Sequence, residues 1–288
     1  MVSSMSFKND SCPHPRRKNF YTIPFSNDIA VRVYSDTNPH NWKIADLQKG
    51  LVLVCKKAET VGEGTGFGLP ILVYSDETCF SGTSRIHASR QDNHWLVVKE
   101  FVMDRIQRNS FRNIKLKNHR ARTLVGHLSR LYQEHPPLRF LTLKKLAGNM
   151  QIRTSFVETK PVGCVAVTYR IGKKEIQVEA DFQKVEKNGL RKIFMLNEQG
   201  FTFFKRYTDS TGTLLTDRRI GAWDEVLGEW ASIDSIENAF GFRLWKKDEA
   251  VLRRGQEYIK DSLDWVGLDY EISSKKARFD YKIEIVGL

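Results

Sequence analysis

Along most of the chain apolar and polar residues alternate with a period of two, the repeat of a strand whose successive side chains point to opposite faces of a sheet. Ile29, Val31 and Val33 alternate with Ala30, Arg32 and Tyr34, and far downstream Phe279, Tyr281, Ile283 and Ile285 alternate with Asp280, Lys282 and Glu284. Bounded by Pro, Gly, Asn and Asp, the first hundred residues read as the strands NFYTIPF, DIAVRVYS, WKIADL, GLVLVCKK, LPILVYS, CFSGTSRIHAS and WLVVKEFVMD. The second half alternates more cleanly. There GCVAVTYRI, KEIQVEADF, LRKIFML and GFTFFKRY are separated by Gly172–Lys173, Asn188–Gly189 and Gln199–Gly200, which predicts a meander of hairpins. GFRLWKK is a further strand, the mixed periodicity of residues 249–264 suggests a short helix, and KARFDYKIEIV reads as a half-buried strand paired inside the sheet.

Two stretches depart from this pattern. In VGEGTGFGLPILVY, Val61 to Tyr74, four glycines at a spacing of two exclude a helix and predict a closely packed, extended segment entering a buried strand. From Asn113 to Asn149, Ala121, Leu124, Val125, Leu128, Leu131 and Tyr132 follow the spacing of an amphipathic helix, with Asn118 as its cap and Pro136–Pro137 at its end. The fold predicted is mainly β: a large antiparallel sandwich over residues 19–288, with one basic helical insertion at 113–148 and a disordered tail at 1–18. No internal repeat points to a propeller, and no flexible linker divides the two strand-rich halves.

Composition supplies the core, with 41% hydrophobic residues, 17 Phe, 9 Tyr and 6 Trp. No apolar run reaches the roughly 18 residues of a membrane span, and no apolar stretch follows Lys8, Arg16, Arg17 and Lys18, so the expected location is the cytoplasm, with no membrane partner. Cys12, Cys55, Cys79 and Cys164 form no CxxC pair and stand beside no HxxxH element. Free thiols are expected, with no metal and no cofactor, while a Cys55–Cys79 bridge stays open.

The net charge of +12 is local. Residues 104–153 hold 12 basic and 2 acidic side chains, against 12 and 10 before them and 22 and 22 after. Such a block either attracts an anionic ligand or forms a solvated basic face. The candidate anion-binding residues are Arg105, Arg108, Arg112, Lys115, Lys117, Arg120, Arg122 and Arg130.

GEGTGFG has the glycine spacing of phosphate loops, but strand residues follow it where a helix is needed, and there is no GK[ST]. Glu63 inside it is either a carboxylate held by backbone N–H groups or an ordinary turn residue. Glu179 and Asp181 share one strand face, and Glu198 follows Asn197 at the next turn. Paired carboxylates are the chemistry of glycosidic bond cleavage, and they are equally the cross-strand partners of Lys173, Lys174, Arg191 and Lys192. His87 and His94 stand near no nucleophile motif. Trp42, Trp95, Trp223, Trp230, Trp245 and Trp265 offer flat faces for sugar rings or bases, or fill the core.

Many-stranded meanders, a final alternating strand, and interspersed Trp and acidic residues over some 290 positions resemble the galactose-mutarotase-like β-supersandwich group. The resemblance is architectural, covers residues 19–288, and carries over no catalytic position; it implies a sheet face that receives carbohydrate. Lipocalin-like double β-domains are a second architectural comparison, implying an apolar ligand cavity. The leading expectation is recognition, and by extension processing, of an anionic sugar or sugar phosphate, with Glu63, Asp181 and Glu198 as acid/base candidates. The alternatives are a non-catalytic nucleic-acid-binding protein using the basic segment, and a carrier of an apolar ligand. Oligomeric state and catalysis are not legible.

Overall fold

The computed structural model describes residues 20–34, 50–60, 66–109, 155–157 and 161–287, except 27, 57, 76, 77, 92, 106, 201, 202, 222, 238 and 260–262. The first strands are β1 (Phe20–Pro24), β2 (Ile29–Tyr34), β3 (Leu51–Cys55), β4 (Ala58–Glu59), β5 (Phe67–Tyr74), β6 (Thr78–Gln91), β7 (His94–Arg105) and β8 (Gln107–Asn109). There follow β9 (Ser155–Val157), β10 (Gly163–Ile171), β11 (Glu175–Asp181), β12 (Leu190–Gly200), β13 (Arg206–Asp209) and β14 (Leu214–Thr216). After a 3-10 turn at Asp217–Ile220 come β15 (Asp224–Glu225), β16 (Trp230–Ser235), β17 (Phe240–Trp245), β18 (Ala250–Ile259), β19 (Leu263–Ser273) and β20 (Arg278–Val286).

Hydrogen-bonded neighbours arrange these strands in two antiparallel layers. The front sheet runs β14–β13–β16–β17–β20–β11–β10–β7–β6. The back sheet runs β1–β2–β3–β5–β12–β19–β18–β15, with β4 beside β3. A short pairing of Leu72 and Val73 with Cys79 and Thr78 joins the two at one edge, where β5 turns into β6. The predicted antiparallel sandwich is therefore present, and β7–β10 and β5–β12 tie its first hundred residues to its second half.

Alternation explains the layers. Val97, Phe101 and Met103 of β7, Val165, Val167, Tyr169 and Ile171 of β10, and Phe279, Tyr281, Ile283 and Ile285 of β20 are buried on the inner face of the front sheet. They meet Phe67, Leu72, Ile193, Met195, Val266, Leu268 and Tyr270 from the back sheet. Phe67 of β5 packs edge-on against Phe242 of β17 at 4.9 Å, and Tyr270 of β19 against Phe279 of β20 at 5.1 Å. Each such ring, fully buried, contributes about 2 kcal/mol of hydrophobic stabilisation.

The two sheets are also stitched by buried polar groups. The Tyr169 hydroxyl on β10 lies 3.2 Å from the Phe67 carbonyl and 3.0 Å from that of Gly68 on β5, within donating reach of both. On β12 the inward Asn197 and Gln199 replace apolar residues. Asn197 Oδ1 accepts from the Gly68 N–H (3.2 Å) and the Tyr281 hydroxyl (2.8 Å), and its Nδ2 donates to the Met195 carbonyl (3.1 Å). Gln199 Oε1 accepts from the Leu53 N–H (3.2 Å) and the Thr60 hydroxyl (2.8 Å). Beside Asn197 the ladder is irregular. The register on β5 shifts between Leu196 and Asn197, and the Asn197 N–H donates instead to the buried Asp269 carboxylate, at 2.8 Å.

Two expectations need correction. The second half is not a continuous meander. Of the four strands expected to form it, only the first two, β10 and β11, pair as a hairpin; after Asn188–Gly189 the chain crosses to the back sheet, where Leu190 pairs with Tyr74, and after Gly200 it returns to the front. Where a short helix was expected, Ala250–Ile259 form strand β18 and Leu263 opens β19, and Gly255, which blurs the period there, lies beneath the Trp223 indole. Cys55, Cys79 and the half-buried Cys164 are free thiols, which closes the alternative of a Cys55–Cys79 bridge. The helix expected at 113–148, the tail at 1–18 and Cys12 lie outside the described residues. The chain leaves toward 110–154 and re-enters as a two-stranded ribbon, β8 against β9.

On the outer face of the back sheet Glu271 receives Arg253 Nη2 at 2.7 Å, together with the Lys192 ammonium. Burial alone would raise its carboxyl, but hydrogen bonds from Lys192 and Arg253 outweigh that and hold it below the ordinary carboxylate range. A depressed folded-state value means stability that is present above about pH 4.5 and is lost as pH falls through the folded value. The variant E271Q is expected to lower the denaturant midpoint at pH 7 and to converge on the wild-type midpoint at an acid pH below the folded value of the Glu271 carboxyl. Parallel curves at both pH values would contradict this.

Candidate functional site

The solvent side of the front sheet carries an open groove of about 730 Å³. Its floor is set by register: Arg170 of β10 stands opposite Gln177 of β11, Gln177 opposite Lys282 of β20, and Glu179 opposite Asp280. Trp245, at the end of β17, forms the wall together with Lys247. In each of these strands the partners on either side in sequence point into the core, so period two delivers a polar row to the outer face without disturbing the packing beneath.

Like charges face each other twice, Glu179 with Asp280 and Glu175 with Glu284, an arrangement that destabilises a sheet unless it is neutralised. Diagonal cations do so. Arg170 Nη1 lies 3.6 Å from Glu179, Lys247 Nζ 3.3 Å from Asp280, and Lys282 Nζ 2.9 Å from Glu284 and 3.5 Å from Glu175. Burial would raise the Glu284 carboxyl, yet hydrogen bonds from Lys282 and the Trp245 indole, with Arg243 nearby, keep it below the ordinary range and anionic. Lys282 is correspondingly pushed up, first by its hydrogen bond to Glu284.

Trp245 is 41% exposed. Its position is fixed from below, because the Tyr270 hydroxyl reaches across from the back sheet to donate to the Trp245 carbonyl. Directly opposite on β16 stands Trp230, half-buried beneath the Arg243 guanidinium at 4.0 Å. The indole of Trp245 can stack on an apolar ring face, while Gln177 and the paired cations and carboxylates present donors and acceptors in fixed positions around it.

The sequence-derived candidates are dispersed. Asp181 ends β11 on the outer face of the front sheet, where its carboxylate takes Arg278 Nε at 3.1 Å and the Gln183 N–H at 2.8 Å. Glu198 is not at a turn: β12 continues to Gly200, and Glu198, only 5% exposed, points to the outer face of the back sheet across Gly267. Asp181 and Glu198 thus face away from each other through the whole sandwich and cannot flank one bond. Glu63 lies outside the described residues, as do Arg112, Lys115, Lys117, Arg120, Arg122 and Arg130. The backbones of Arg105 and Arg108 end β7 and lie in β8. The Trp set divides: Trp95 packs on the core, Trp265 packs against buried Tyr34 and Val52, and Trp230 and Trp245 face the groove side. That division follows from the alternation of EWASID and GFRLWKK, which sets both indoles opposite the apolar face.

Among the described residues no three His, Cys, Asp or Glu side chains are grouped to hold a metal ion, and no helix is long and apolar enough to cross a membrane.

Fold and groove together define a two-layer antiparallel β-sandwich with a solvent-side polar groove and an exposed aromatic wall. No family model and no curated protein matches the chain. Among solved structures it is similar to the Slr1438 protein from Synechocystis sp. PCC 6803, at 6% identity and a TM-score of 0.38, over 98% of this chain and 100% of that one.

Proposed function

We propose that this protein binds carbohydrate in the front-sheet groove, with Trp245 as the stacking platform. The observation that carries this is the exposed indole standing beside Gln177, Arg170, Asp280 and Lys282 in one open depression. Sugars present an apolar C–H face bordered by hydroxyls, and a flat ring bordered by charge-assisted donors and acceptors complements both. Arg170, Lys247, Arg278 and Lys282 are each matched by a carboxylate in or beside the groove, so its lining offers fixed donors and acceptors to sugar hydroxyls rather than a net field. The reading is one of recognition, since Asp181 and Glu198 do not converge. The interior is filled by Tyr169, Tyr270, Phe67, Phe242 and Phe279, which favours the outer groove over an apolar cavity. The buried, free Cys55 and Cys79 fit the reducing compartment expected for the chain.

The test is calorimetric titration with neutral and acidic oligosaccharides at physiological salt, for wild type and W245A. Loss of the platform is expected to weaken binding about tenfold or more with little change in thermal midpoint, because the indole is largely outside the core. Unchanged affinity in W245A, or nucleic acid binding where sugars do not, would overturn the assignment.

A further inference from the structure

Arg243 stands two residues before Trp245 on the same outer face of β17, and its guanidinium lies over the Trp230 ring. Its Nε is buried and makes no hydrogen bond, and its charge acts on the Glu284 carboxylate through space. The nearby carboxylates are already committed. Glu284, directly opposite on β20, is held by Lys282 and the Trp245 indole, and Asp234 is held by Arg206 at 3.5 Å and the Ser232 hydroxyl at 2.7 Å. Stacking on Trp230 therefore fixes the plane of a guanidinium whose charge helps hold Glu284 anionic but which makes no hydrogen-bonded ion pair with it. A planar fork in that condition matches a carboxylate through two parallel hydrogen bonds.

We propose that Arg243 on Trp230 forms an acid-reading subsite that receives the ring carboxylate of a hexuronic acid residue, while the next sugar of the chain stacks on Trp245. The proposal rests on the carbohydrate reading of the groove and specifies its ligand. Trp230 and Trp245 are direct cross-strand neighbours, with Cβ atoms about 5 Å apart, so the subsite and the platform serve adjoining sugars. A carboxylate suits the subsite better than a phosphate. The anionic Glu284 stands opposite, and a phosphate carries about twice the negative charge to be repelled by it.

The probes are a hexuronate trisaccharide and its carboxyl-reduced, neutral counterpart, titrated calorimetrically into the full chain, into R243K and into W245A. Wild type is expected to bind the acid form about ten- to a hundredfold more tightly than the neutral form. R243K keeps the charge but loses the planar fork. It should lose most of that preference while binding the neutral sugar as wild type does, which also shows that it is folded. W245A should weaken both. Equal binding of the two sugars by wild type, or a preference that survives in R243K, would overturn the acid subsite and leave the groove standing. Failure of both sugars to bind wild type would overturn the groove as well.

Discussion

Replacing Asn197 by Leu is expected to destabilise the protein by about 4 kcal/mol, a large share of the 5–15 kcal/mol typical of a folded domain. The side chain is fully buried and serves three partners in three directions: the Gly68 N–H, the Tyr281 hydroxyl and the Met195 carbonyl. Leucine matches its size, so packing changes little, but the N–H and the hydroxyl are left without an acceptor inside the core. Each such orphan costs about 1–3 kcal/mol. Chemical denaturation of N197L, Y281F and the double variant measures this directly. If the cost arises from orphaned groups, Y281F is milder than N197L, and the double variant is less destabilised than the sum of the singles, because removing both partners removes the orphan. Strict additivity would show that Asn197 and Tyr281 do not act as a pair.

Gly68→Ala should be nearly as damaging. Gly68 has φ of +73°, a region that side chains rarely adopt, and a Cβ there would lie 2.6 Å from the Tyr169 ring. The ring is fully buried, with its hydroxyl held against the Phe67 and Gly68 carbonyls, so it has nowhere to go. Backbone strain and overpacking each cost about 1–3 kcal/mol, and together about 4 kcal/mol is expected. Gly212 supplies the control. Its φ is +86°, yet a Cβ there would meet nothing within 4 Å, so G212A should cost only the backbone contribution, about 1 kcal/mol. Equal midpoints for G68A and G212A in urea would refute the clash with Tyr169.

These two sites also show what local sequence conveys and what it does not. Strand identity was legible because period two is a local property. Ile29, Val31 and Val33 point inward as read, β5 follows the glycines as a buried strand, and β20 is paired on both sides. Strand partnership was not legible. Asn188–Gly189 carries the local signature of a hairpin, but Leu190 finds its partner in Tyr74, and nothing near residue 189 encodes that distant edge. Asn197 and Gln199 resembled a turn because polar residues at a strand end usually are one. Here they face inward, and the acceptors and donors that make burial tolerable come from β3, β5 and β20. The groove was legible in part. The outward placement of Trp230, Arg243 and Trp245 follows from alternation alone, but their gathering beside Lys282 and Gln177 needs β17 next to β20 and β20 next to β11.

The position of β20 bears on how the protein comes into being at the ribosome. β11 and β17 are both made before it, yet they contact each other's half of the front sheet only through β20, which is inserted between them. Until synthesis passes residue 286, each of these two strands presents an unsatisfied edge of backbone N–H and C=O groups, and the inner faces that Phe279, Tyr281 and Ile283 will cover stay open. Between the synthesis of β17 and that of β20 both edges are thus open to pairing with foreign strands, and the arrival of β20 closes them in one event.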